Sequence, residues 1–256
     1  MKLPNTNIAL QLYTMRDHTK TIEDFDKTMA RLKEIGYQAI ELAGLWEFDD
    51  NAMKASLDKH GITVISTHLG LDNLTKSYDR TLARMKTLGF EHAVVAWSAA
   101  EYRTADGVKK LCADLEAAGK RLAADGMKLG YHNHKFEFEK FNGKTMLETM
   151  YATVDKKYLY PQPDLCWVQN GGMNPIDFIN AYKGRFYTVH FKEYTIKADQ
   201  VTLCELGQGM FNWKAIADAA KKAGARWLVV EQDKCEVDAF QSVKMSYDHL
   251  RSLGIK

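Results

Sequence analysis

The stretch HAVVAWSAAEYRTADGVKKLCADLEAAGKRLAADGMKLGYHNH, residues 92–134, decides the fold. It opens on a short apolar run. A long amphipathic segment follows and stops at Gly126, a residue suited to a helix end. The chain then returns to a second apolar run, KLGYHNH, whose last residues are polar. Parallel strands cannot be joined by a tight turn and need a crossover of about this length, so the stretch reads as strand, covering helix, strand.

The unit repeats. IALQLY (8–13), YQAIEL (37–42), ITVISTHL (62–69), HAVVAW (92–97), KLGYHNH (128–134), YLYPQPDL (158–165), FYTVHFKE (186–193) and WLVVEQD (227–233) are the apolar runs. They begin about every 25 to 40 residues, the spacing of a strand plus a helix. Helical patterns lie between them at TIEDFDKTMARLKEIG (21–36), YDRTLARMKTLGF (78–90), NPIDFINAYKG (174–184), NWKAIADAAKKAG (212–224) and VDAFQSVKMSYDHLRSLG (237–254). Eight units in 256 residues predict an α/β fold, a single (β/α)8 TIM barrel with 1–256 as one domain. A doubly wound open sheet is the competing layout, but no GxGxxG follows the first run to support it.

Composition narrows the function. A 46% hydrophobic content suffices for a large buried core. A formal net charge of +2 with no basic run argues against nucleic acid as a partner. Cys112, Cys166, Cys204 and Cys235 show no paired spacing and read as reduced thiols. No apolar run has the length of a signal peptide or a membrane span. The expectation is a cytoplasmic enzyme or binding protein with a small-molecule partner and no membrane partner.

In a parallel barrel, chemistry gathers where the strands end. The run ends supply Gln11, Tyr13 and Arg16; Glu41; His68; Trp97; His132, His134 and Glu137; Asp164; His190, Lys192 and Glu193; and Glu231. Taken singly, each has a plain structural reading as a cap, an ion pair or a satisfied core histidine. Jointly, His132 or His134 with Asp164, His190 and Glu231 end four neighbouring strands, and such groups are costly to bury unless paired or metal-bound. They are the expected ligands of one divalent ion. The mixed nitrogen and oxygen set puts Mn first, with Co, Fe, Ni and Zn also suited, and Mg less favoured because imidazole is not its usual partner. Gln11, Glu41, His68, Trp97, Glu137 and Trp167 are expected to bind substrate. Glu231, His134 and Lys192 are the catalytic candidates. GQG (207–209) reads as a turn before a helix rather than a phosphate cradle. His18, His60, His92 and His249 receive no role.

QLYTMRD (11–17), YHNHKFEF (131–138), PDLCWV (163–168), VHFKE (189–193), GQGMFNW (207–213) and VVEQD (229–233) resemble the sugar phosphate isomerase/epimerase family of the xylose-isomerase-like barrel superfamily. The resemblance covers essentially the whole chain. It implies a carbohydrate substrate and a divalent ion held by Glu, Asp, His and Glu from strands five to eight. Asp164, His190 and Glu231 match that pattern, while His132 stands at the strand-five glutamate position. It also implies that barrels of this kind pair, so a homodimer is possible. Relatives that epimerise ketoses use the strand-five and strand-eight glutamates as two bases, and this chain keeps only Glu231. Those relatives often carry a histidine where Trp167 stands.

The chemistry so implied removes a proton beside a carbonyl and passes through an enediolate, as in a metal-dependent isomerase or epimerase. The same intermediate would serve a lyase or hydratase acting on a 3-oxo sugar or an oxidised glycoside. A non-catalytic sugar-binding relative is a further alternative. The superfamily's abasic-site endonucleases need more ligands than this chain offers, and a basic groove besides.

Overall fold

The computed structural model describes residues 8–255. Eight strands form one parallel sheet: β1 (Ile8–Gln11), β2 (Ala39–Ala43), β3 (Thr63–Leu69), β4 (His92–Val95), β5 (Lys128–His132), β6 (Tyr160–Gln162), β7 (Thr188–Phe191) and β8 (Trp227–Val230). Their spatial order is β6-β5-β4-β3-β2-β1-β8-β7. The ring closes between β6 and β7 through a parallel bridge from Asp164 to His190, with the His190 N–H donating to the Pro163 carbonyl at 2.8 Å. The predicted barrel is therefore present, and its seam lies at two of the expected metal ligands.

Side chains alternate along each strand, so one set faces the helices and the other the lumen. Leu10, Leu42, Val95, Leu129, Phe191 and Val230 face outward into the main core, which they share with helix residues such as Phe25, Met29, Leu111 and Ile216. The lower lumen is filled by Ala9, Ala39, Ile65, Trp227 and Val229, with Tyr187 against them. Gly130 keeps this interior open beside His92, because a Cβ there would come within 2.5 Å of the imidazole Nε2.

The structure adds elements to the predicted set. Helix Asp50–His60 runs from an Asp49 cap to Gly61, whose φ of 62° is the left-handed geometry a glycine accepts without strain. Helix Met146–Thr153 starts on a Thr145–Glu148 capping box. Two small hairpins project from the barrel, Lys140–Thr145 and Glu193–Cys204. The run FYTVHFKE is consequently not strand throughout. The barrel strand stops at Phe191 and Glu193 opens the second hairpin. Among the described residues, no helix is long and apolar enough to cross a membrane.

Candidate metal and substrate site

Chain order puts Gln11, Glu41, His132, Gln162, Thr188, His190 and Glu231 on the inward set. Contacts between strands that are not sheet neighbours confirm the lumen placement. The Glu41 carboxylate of β2 sits 2.7 Å from His190 Nε2 of β7, on the other side of the ring. Glu41 also accepts from Gln11 Nε2 at 2.7 Å, Ser66 Oγ at 2.5 Å and Gln162 Nε2 at 2.6 Å. His68 Nε2 lies 3.0 Å from Glu41 and 2.6 Å from Gln162 Oε1. Glu41 is thus the hub of a buried polar layer across the barrel. Burial alone would raise its carboxyl, but the facing His68 and His190 hold it well below the usual carboxylate range.

Above this layer, His132, Asp164, His190 and Glu231 each offer one ligand atom, and these atoms lie within 4.8 Å of one another. One ion at about 2.0 to 2.4 Å from each donor requires mutual separations no larger than about twice that radius. The set meets the requirement. All four residues are buried, and His132 Nδ1 and Asp164 Oδ2 have no hydrogen-bond partner. Buried polar atoms left this way are rare and call for an occupant or a charge. The donor chemistry and the orphaned atoms both fit a divalent ion. His190 is aimed as metal-binding imidazoles usually are, with one ring nitrogen on a carboxylate (Glu41) and the other, Nδ1, turned to Glu231 Oε2 at 2.9 Å.

Two cations, His190 and Lys192, sit among the carboxylates of the cluster. Burial opposes a charge on His190, but Glu41 and Glu231 raise it to about 10. Burial likewise opposes the Lys192 ammonium, but Asp164, Glu231 and Asp233 hold it well above the ordinary lysine value. Those carboxylates lie 2.9, 3.0 and 2.8 Å from Nζ. Burial raises Asp164, whereas on Glu231 it is outweighed by Lys192 and His190, which hold that carboxyl low. Burial also lowers His132 well below its usual value and His134 to about 3, so both imidazoles are neutral at physiological pH.

A cavity of about 480 Å³ opens over this cluster, the size of a small-ligand pocket. Tyr13, His68, Trp97, His132, His134, Glu231 and Asp233 are among the residues that line it. Trp97 stands at the rim, 54% exposed, edge-on to His134 and under the Arg103 guanidinium. Trp167, expected to bind substrate, does not line the cavity; its Nε1 is buried and unpaired, and the Lys192 ammonium lies 5.5 Å from its ring centre.

Not every expected substrate residue reaches the cavity. His68 and Trp97 line it. Gln11 and Glu41 sit one layer below, with their polar atoms on neighbouring side chains. Glu137 is fully buried, accepting from the Tyr131 hydroxyl at 2.9 Å and the His134 N–H at 2.8 Å, and so fixes the turn that presents His134. The GQG segment is a turn, as the sequence suggests. Its Gly207 N–H, with those of Phe211 and the Trp213 indole, donates to the Glu193 carboxylate, so that loop already holds an anion of its own. A Cβ on Gly209 would lie 2.3 Å from the Tyr194 carbonyl, which explains the glycine there.

Two residues escaped the sequence reading. Gln162 joins His68, Glu41 and Thr188 from inside the run YLYPQPDL, of which the sequence reading singled out only the terminal Asp164. Asp233 lines the cavity and pairs with Lys192. Its signal was available, since Glu231 and Asp233 are two apart and share a face in an extended segment.

The chain belongs to the Xylose isomerase-like TIM barrel family, which matches residues 29–253. An inosose dehydratase from Geobacillus kaustophilus is 24% identical over 198 residues, covering 66% of this chain and 61% of the relative, so the match spans about three-fifths of that protein's length. The crystal structure of a sugar phosphate isomerase/epimerase from Parabacteroides distasonis superposes with a TM-score of 0.83 at 22% identity, covering 100% of this chain and 97% of the other. The IolI protein, solved with a bound zinc atom, superposes with a TM-score of 0.74 at 14% identity, covering 96% and 97%.

Proposed function

We propose that this protein is a metal-dependent enzyme that moves a proton on the carbon beside a carbonyl of a sugar or sugar derivative, as an isomerase or epimerase does. The observation that carries the reading is the His132–Asp164–His190–Glu231 cluster at the floor of the cavity, with proton-handling groups beside it. His132, Asp164, His190 and Glu231 would hold the ion. Bound there, it would supply Lewis-acid stabilisation of oxyanion charge. Manganese suits the two-imidazole, two-carboxylate set best, with zinc, cobalt, iron and nickel next and magnesium last.

The remaining work falls to the chain's own groups. Glu231 lines the cavity from β8 and His134 from the segment after β5. Either can take a proton, since one is a carboxylate and the other a neutral imidazole whose Nδ1 has no partner. Lys192 places a positive charge beside Glu231 and favours developing negative charge on substrate oxygen. Trp97 offers an apolar face at the rim for a sugar ring.

A second reading, a lyase or hydratase, is favoured by a specific observation. His132 stands on strand five, leaving Glu231 as the one cavity-lining carboxylate of the cluster, where two-base epimerisation calls for two. Elimination of water needs one base, and the relative named inosose dehydratase performs a reaction of that type by its name. Incubation of manganese-loaded protein with ketoses, inososes and 3-oxo glycosides in D2O separates the readings. Deuterium at the carbon beside the carbonyl, with the carbon skeleton and water content unchanged, supports the isomerase. Loss or gain of one water supports the lyase. No exchange with any of them contradicts both.

A further inference from the structure

Lys192 occupies an unusual position for a residue beside a metal site. Its Nζ lies within 3.0 Å of three carboxylates, and two of these, Asp164 and Glu231, are the oxygen donors of the cluster. The ammonium and a divalent ion therefore claim the same two carboxylates. The third carboxylate, Asp233, is outside the ligand cluster, 30% exposed at the cavity wall, and makes the shortest of the three contacts at 2.8 Å.

Resting on the metal-dependent reading above, we propose that Lys192 is a resident counter-ion competing with the divalent ion for Asp164 and Glu231, and that Asp233 is the positioning residue that holds the ammonium when the ion enters. Like charges held a few ångströms apart away from bulk water repel strongly, so an ammonium this close opposes a divalent cation unless it is neutralised. Asp233 provides that neutralisation without being a ligand. It thereby keeps Lys192 beside the cluster.

The test is a double-mutant cycle on dissociation constants, read by calorimetry with Mn²⁺ and by the visible absorption of bound Co²⁺. Lys192→Met is expected to bind the ion at least about tenfold more tightly than wild type, in protein whose far-UV circular dichroism is unchanged. Lys192→Gln serves as the background if the methionine variant does not fold. Asp233→Asn is expected to weaken binding about tenfold in the wild-type background and less than twofold in the Lys192 background. Asp233→Glu should restore affinity to within threefold. Equal loss from Asp233→Asn in both backgrounds would mean that Asp233 acts as a plain negative charge or a ligand, and would overturn the proposal. Unchanged or weaker affinity in the folded Lys192 variant would overturn it too, leaving the metal reading intact. No binding by wild type or any variant would overturn both.

Discussion

The upper and lower halves of the barrel lumen are built from the same eight strands yet hold opposite chemistry. The lower half is Ala9, Ala39, Ile65, Trp227 and Val229, a dry plug. The only histidine on its border named here, His92, has both ring nitrogens unpaired and is held neutral by burial, its value lowered to about 3. The upper half carries Glu41, Asp164, His190, Lys192 and Glu231, all buried and joined by short charged contacts, with Asp164 Oδ2 and His132 Nδ1 left without a hydrogen-bond partner. Two residues along a strand are enough to cross from one regime to the other, as Val229 and Glu231 show on β8. The proposed chemistry draws on the second region and not on the first, so substitutions in each should be separable in what they damage.

The largest separation is expected from the upper half. His190→Ala or Glu231→Ala should lose the ion and lower kcat/KM by about 10²- to 10⁴-fold, the range for removing a proton-transfer group, while thermal unfolding remains cooperative. Trp227→Ala in the lower half should do the reverse. It should cost about 3 to 5 kcal/mol in denaturant-derived stability, as large-to-small core changes do, with metal stoichiometry unchanged in the folded fraction. If Trp227→Ala abolished metal binding at full folding, the two halves would not be independent.

Smaller effects sharpen the boundary. Glu41→Gln keeps the shape of the polar layer but weakens its grip on His190, and should lower metal affinity about 10- to 100-fold by titration calorimetry. The smallest effect concerns Glu137, whose buried carboxyl is raised to about 8 from the ordinary 4.5. A raised value in the folded state means that the neutral acid is favoured on folding. Its contribution is complete below about pH 4.5 and is lost as pH rises through 8. Glu137→Gln stays neutral throughout, so its melting temperature should fall less than that of wild type between pH 6 and 9. Parallel pH profiles would show that Glu137 is already ionised at neutral pH.

How much of this was legible in the sequence follows from which signals are local. The barrel was legible because each βα unit carries its own punctuation, from Thr21 and Gly36 to Gly126. The convergence of His132, Asp164, His190 and Glu231 was legible because each is the first ligand-type group at the polar end of an apolar run. Helix Asp50–His60 was missed because its buried residues, Met53, Ser56 and Leu57, make too weak an apolar stripe. The partners were not legible at all. That Glu41 meets His190, 149 residues away, depends on ring closure, which no local pattern encodes. The same is true of Gln11, whose amide points at Glu41 rather than at the cavity. Glu137 follows YHNH closely enough to look like part of the site, but a single turn directs it back onto Tyr131.

The most direct test of the account is metal content by elemental analysis, on wild type and His132→Ala purified without chelator. The expected result is about one Mn, Co, Fe, Ni or Zn per wild-type chain, and a clear loss in the variant, which lacks one imidazole of the four-residue cluster. Retention of the ion in His132→Ala would remove His132 from the ligand set. No ion in wild type, even after reconstitution, would contradict the account at its centre.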